Sequence, residues 1–245
     1  MSRTKPVERG VENPVRKIIS YKPNSGEFAV YDRVSKSRET LDEISVIILD
    51  ATRNSISGFS PQYDSGILCN TVTNTKKEPL TLGVIKDGKY SEVKKGLYQD
   101  IKDFEGAKYT RNVFCLLADG DDYVVSDLQL TGMARSQFDD WFQKNENTAE
   151  ASLVTLKPSE KVYNYVKKTG ELEVVPKDKQ KRWRTTWLKV LTPDLEKLGS
   201  AENDMADEMD TKLQDYFSGS SQQSSTTNVP EPEAQPEEVS DDLPF

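Results

Sequence analysis

A mainly β fold is what this 245-residue chain predicts, on three observations. Short β-branched or aromatic runs recur across residues 15–198, each bounded by turn residues. Only two stretches in that span carry helical spacing. Residues 218–240, SGSSQQSSTTNVPEPEAQPEEVS, hold only two branched aliphatic residues, Val229 and Val239, so this part cannot bury enough surface to offset its ordering entropy and is expected to be disordered.

The strands are read in order from the runs themselves. VRKIIS (15–20), GEFAVYD (26–32), ISVIILD (44–50), NSISGF (54–59), GILCNTV (66–72) and PLTLGVI (79–85) come first. KYTRNVFCLL (108–117), DYVVSDLQL (122–130), SLVTL (152–156), KVYNYVKK (161–168), ELEVVP (171–176) and RWRTTWLKVL (182–191) follow. Asp87-Gly88 and Asp119-Gly120 mark hairpin turns. One helix is suggested by Val93, Leu97, Ile101 and Phe104, and another by Ala134, Phe138, Trp141 and Phe142 behind a Thr131 cap. Many short strands with few helices point to an antiparallel barrel, of which the OB type is one solution, although the same periodicity fits a sandwich. Residues 15–199 exceed a bare five-stranded barrel, so long insertions or an added small sheet are expected. Residues 1–14 read as an N-terminal arm. In residues 200–217, Met205, Met209, Leu213, Tyr216 and Phe217 form one stripe of an acidic amphipathic helix, either packed on the body or docked on another protein.

Composition removes several classes of function. The longest aliphatic run, Val46-Ile47-Ile48-Leu49, is far short of a membrane helix. The N-terminus has cations with no apolar segment behind them, which does not read as a secretory signal, so the expected compartment is cytoplasmic. The chain has no histidine, which excludes Ser-His-Asp and Cys-His nucleophiles and histidine-bearing zinc sites. Cys69 and Cys115 form no CxxC pair and read as buried thiols. Asp119, Asp121 and Asp122 read as a hairpin turn rather than a magnesium site, and phosphate-loop, dinucleotide and zinc-protease motifs are absent. No enzymatic activity and no cofactor are expected.

Charge is uneven. The chain carries a formal −8, but residues 200–245 hold twelve acids and one base, leaving 29 acids and 32 bases in residues 1–199. A mildly basic body thus precedes an acidic end, a pattern that suits a charged partner and a separate interaction tail.

Within the body, KDKQKRWRTTWLK (177–189) sets six bases and one acid around two of the three tryptophans. Strand alternation places Trp183, Thr185, Trp187 and Lys189 on one face and Arg182, Arg184, Thr186 and Leu188 on the other, with Lys181 at the entry. Rings two pleats apart, about 7 Å, suit successive bases of a single strand, and cations beside them neutralise phosphate. The competing reading puts the tryptophans in the core. Tyr163 and Tyr165 near Lys161, Lys167 and Lys168, and Tyr109 and Arg111 beside Lys108, repeat the combination. Lys76, Lys77, Lys94 and Lys95 read as solvated loop cations. On residues alone, an alternative is an adaptor that binds proteins and never touches nucleic acid. Another is a strand-annealing recombination mediator using the same groove.

The chain ends in SDDLPF. Asp241, Asp242, Leu243, Pro244 and Phe245, behind a Ser/Gln/Pro linker, resemble the acidic tip of bacterial-type single-stranded DNA-binding proteins. That resemblance implies a protein that coats single-stranded DNA and recruits replication, recombination or repair proteins through its tip. Phe245 would fill an apolar pocket on the partner, its carboxylate would meet a basic group, and the aspartates would face a cationic rim. The body is longer than in that family. KYTRNVFCLLADGDDYVVSDLQLTGMARSQFDDWF (108–142) is similar to bacteriophage replication proteins with a divergent OB domain, which implies a phage relative and leaves homo-oligomerisation open.

Overall fold

The computed structural model describes residues 12–120, 122–166, 168–169, 171–180 and 187–220, without the side chains of Trp187 and Ser220. The N-terminal arm up to residue 11 and the tail from 221 lie outside the described residues. In chain order the elements are β1 (Lys17–Lys22), β2 (Glu27–Asp32), β3 (Arg38–Leu41), β4 (Ile44–Ser60), β5 (Ser65–Gly66), β6 (Leu68–Cys69), β7 (Leu80–Lys86), β8 (Lys89–Gly96) and α1 (Tyr98–Ile101). They continue with β9 (Ala107–Asp119), β10 (Asp122–Thr131), α2 (Gly132–Glu150), β11 (Ser152–Pro158), β12 (Tyr163–Val166), β13 (Glu171–Val174), a 3-10 turn at Lys177–Lys179, β14 (Trp187–Leu188), β15 (Leu191–Lys197) and α3 (Ser200–Ser220). The chain divides into two compact units, described as 12–54 with 110–220, and 55–109.

The first unit is built on a sheet in the order β15-β11-β4-β9-β10-β1-β2-β3, which curls into a half-barrel. β1 runs parallel to β10, whereas β1–β2, β2–β3, β9–β10, β4–β11 and β11–β15 are antiparallel. That parallel pair departs from the purely antiparallel barrel expected from the strand runs. It arises because the chain returns to β1 by a long excursion rather than a hairpin.

Both faces of the central strands are covered, which explains their uninterrupted apolar runs. From β9, Val113, Cys115 and Leu117 enter one core with Ile19, Phe28, Val46, Leu128 and the Ala134 and Phe138 side of α2. Phe114 and Leu116 enter the other, with Ile47, Val125 and Leu213 of α3. The acidic helix therefore packs on the body: Met205, Met209 and Phe217 line its buried stripe, Phe217 meets Phe114 edge-on at 5.0 Å, and the Arg53 guanidinium lies 3.4 Å from the Phe217 ring centre. Phe138 stacks on Phe142 at 5.7 Å in α2, but the Thr131 side chain makes no capping hydrogen bond. Cys115 is buried, and burial pushes its thiol well above the ordinary range; Cys69 is half-buried and pushed up to about 11.

The second unit packs Ile56, Ile67, Val72, Leu80, Leu82 and Ile101 under the sheet β6-β7-β8. Gly58 and Gly106, both at positive φ, let two backbones touch: a Cβ on Gly106 would lie 1.8 Å from the Phe59 carbonyl oxygen. The helix expected through residues 93–104 is corrected here. β8 runs to Gly96 and α1 is a single turn, Tyr98–Ile101. Val93, Ile101 and Phe104 do reach the core, but a bulge opposite Leu82/Gly83 and a strand-to-helix junction produce their spacing.

Candidate nucleic-acid interface

Residues 158–191 form an excursion whose neck is closed by the β11–β15 pair Pro158↔Leu191. Ser159 fastens the neck twice: its N–H donates to the Val190 carbonyl at 2.8 Å, and its Oγ accepts from the Val190 N–H at 3.1 Å. The strand β14 end is pinned to the β1–β2 turn. The Lys189 N–H donates to the Pro23 carbonyl at 2.8 Å, and the Tyr21 hydroxyl donates to the Lys189 carbonyl at 3.0 Å.

Between these anchors lies a small sheet in the order β13-β12-β14. Tyr163 stands opposite Val174 and Leu188, and Tyr165 opposite Leu172. Opposed residues in an antiparallel pair share a face. The two half-buried tyrosines therefore share theirs with Leu172, buried Leu188 and Val174, which is 52% exposed. Glu173 and Glu171 stand opposite Asn164 and Val166, on the other face. Lys161, Lys168, Lys177 and Lys179 are exposed around the sheet. Val162 and Val175 form the clasp beneath, with the Val175 N–H donating to Val162 at 2.8 Å.

Trp187 stands opposite Asn164, one position out of phase with Tyr163. Lys181, Arg182, Trp183 and Arg184 lie outside the described residues. Lys189 does not join a cationic lane: its side chain lies over Gly26, where a Cβ would meet its Cδ at 2.5 Å. Asp241, Asp242, Leu243, Pro244 and Phe245 also lie outside the described residues.

The third candidate cluster separates. Arg111 donates from Nε to Asp139 Oδ1 of α2 at 2.8 Å, so its charge is matched within the fold. Tyr109 is half-buried and meets Tyr98 edge-on at 4.7 Å, while Lys108 is exposed. Lys94 and Lys95, read from the sequence as loop cations, belong to strand β8, where Tyr90 is also exposed. Nothing in the linear sequence marks Tyr90, because its setting depends on Gly83 of the neighbouring strand. Among the described residues no helix is long and apolar enough to cross a membrane.

No known protein-family model matches the chain, and neither does any curated protein or solved structure.

Proposed function

We propose that this protein binds single-stranded DNA through the 158–191 excursion, using the curled sheet as an OB-type scaffold, and that it is not an enzyme. The observation that carries the reading is the face of β12. Two part-exposed tyrosines stand two residues apart, exposed Lys161 and Lys168 flank their strand in the chain, and the neighbouring carboxylates Glu171 and Glu173 occupy opposite-face positions. A polyanion with unstacked bases needs that division of flat rings and cations from carboxylates. Trp183, Arg182, Arg184 and Lys181 extend the platform by sequence, with Lys108 and Tyr109 as a further contact, whereas Trp187, paired with Asn164, belongs to the other face of the small sheet. Arg111 serves the fold through Asp139 and, in this reading, contributes least. The terminal Asp241–Phe245 segment recruits replication, recombination or repair proteins, in keeping with its likeness to the tips of single-stranded DNA-binding proteins.

Replacing Tyr163 and Tyr165 together by alanine tests the platform. Stacking is worth roughly 1–3 kcal/mol per base, so the affinity for an unstructured oligo-dT is expected to fall at least tenfold in a fluorescence-anisotropy titration. Wild-type affinity in a double variant that keeps its circular dichroism spectrum would reject the platform. Protein partners captured with no DNA binding at all would favour the adaptor.

A further inference from the structure

The register through β9, β10, β1, β2 and β3 divides the charges of the first unit between the two faces of its sheet. Phe114, Asp127, Ile18, Tyr31 and Arg38 form one row, each directly opposite the next, so all five share a face. The adjoining row, Cys115, Ser126, Lys17 and Asp32, belongs to the face that holds the larger core. Carboxylates on that face are matched within the fold: buried Lys17 meets Glu39 at 3.2 Å and Asp119 at 3.0 Å, and Asp32 takes the Arg16 guanidinium at 2.8 Å.

On the face of Phe114, the buried stripe of α3 lies over Phe114, Leu116 and Val125. The part made by β1, β2 and β3 is left in part to solvent: Ile18, Ala29 and Tyr31 are half-buried, and Arg38 and Thr40 are exposed. There the Arg38 guanidinium carbon lies 5.8 Å from the centre of the Tyr31 ring, within cation–π range. Arg33 continues the alternation two residues past Tyr31, its N–H donating to the Arg16 carbonyl at 2.9 Å. Its Nη1 donates to the Val15 carbonyl at 3.0 Å, which uses one of five N–H donors, and no carboxylate pairs with it among the described residues.

Tyr31 thus stands between two arginines of its own face, one against its ring and one along its strand. The carboxylates that share this face lie apart from them. Asp127 is buried and held by Asn112 and Gln129, and Glu27 stands opposite Lys22 at the far end of β2. That far end adjoins the 158–191 excursion, because the Pro23 carbonyl after Lys22 accepts from the Lys189 N–H at 2.8 Å. Four residues of strand, about 13 Å, separate Glu27 from Tyr31. Bases stack on tyrosine rings and guanidinium planes alike, and guanidinium donors take phosphate.

We propose that Tyr31, Arg33 and Arg38 form a second contact for single-stranded DNA, with a base against the Tyr31–Arg38 pair and phosphates at the two guanidiniums. This rests on the reading of the protein as a single-stranded DNA binder. In the full chain, Arg33→Gln with Arg38→Gln is expected to lower oligo-dT affinity and to make the slope of log affinity against log salt shallower by about 1.4, at roughly 0.7 per lost contact. Arg33→Lys with Arg38→Lys keeps both charges and is expected to keep the wild-type slope. A lysine pair that loses as much slope as the glutamine pair would assign the arginines to packing and overturn the contact. Tyr31→Leu is expected to weaken binding about tenfold at an unchanged slope, and Tyr31→Phe to retain it. Wild-type affinity and slope in the glutamine pair and in Tyr31→Leu, with binding still lost on changing Tyr163 and Tyr165, would overturn this contact and leave the DNA-binding reading standing. If the wild type binds no single-stranded DNA, both readings fall together.

Discussion

Asp127 is a carboxylate held inside the fold. It is buried in β10, where Asn112 Nδ2 donates to both carboxylate oxygens, at 3.0 and 2.9 Å, and Gln129 Nε2 donates to Oδ2 at 2.9 Å. Burial pushes its carboxyl up to about 6, and the three amide hydrogen bonds pull only partly the other way. An unfolded aspartate titrates near 3.9, so between about pH 4 and 6 the folded state holds the proton that the unfolded state has lost. Stability from this group is therefore present at about pH 4, declines as the pH rises to about 6, and is flat above. Urea unfolding of the wild type and Asp127→Asn across pH 4–7 is expected to show the wild type losing ground to the variant over that window. Parallel profiles would contradict the assignment. Arg111 illustrates the opposite case at this scale: a cation that looks available in KYTRN is matched by an aspartate 28 residues away.

At the scale of elements, α3 seals one face of the half-barrel, and Leu213, fully buried, is its keystone. Leu213→Ala is expected to remove about 2–5 kcal/mol, read as a lower urea midpoint. An unchanged midpoint would mean that the stripe packs without holding the fold. This helix was legible in the sequence because five apolar residues recur on one side of an otherwise charged segment. The strands β9 and β10 were legible from their apolar runs, which a sheet covered on both faces permits. β3 was not: Arg38, Glu39 and Thr40 are exposed edge residues with no alternation to read. β15 hides behind Pro193, which an edge strand tolerates. β4 reads as two strands because polar Asp50–Ser55 interrupts the run. Asp50 accepts from Thr52 and Arg53, so local partners allow one strand to continue. Of the candidate site, Tyr163 and Tyr165 followed from alternation alone. The seat of Tyr90 depends on Gly83 in the partner strand, which no linear pattern reveals.

For the whole molecule, a formal −8 conceals a basic body, because the acids concentrate in α3 and the residues beyond it. A polyanion that engages the body is therefore bound against an unfavourable net charge, and its affinity depends on local cations and on salt. About four neutralised phosphates give a slope of log affinity against log salt near −3. The most direct measurement is a salt-dependent titration of the wild-type chain with oligo-dT, followed by tryptophan fluorescence. The account predicts quenching of the indoles and a slope near −3. An unquenched signal or a flat salt dependence would contradict it.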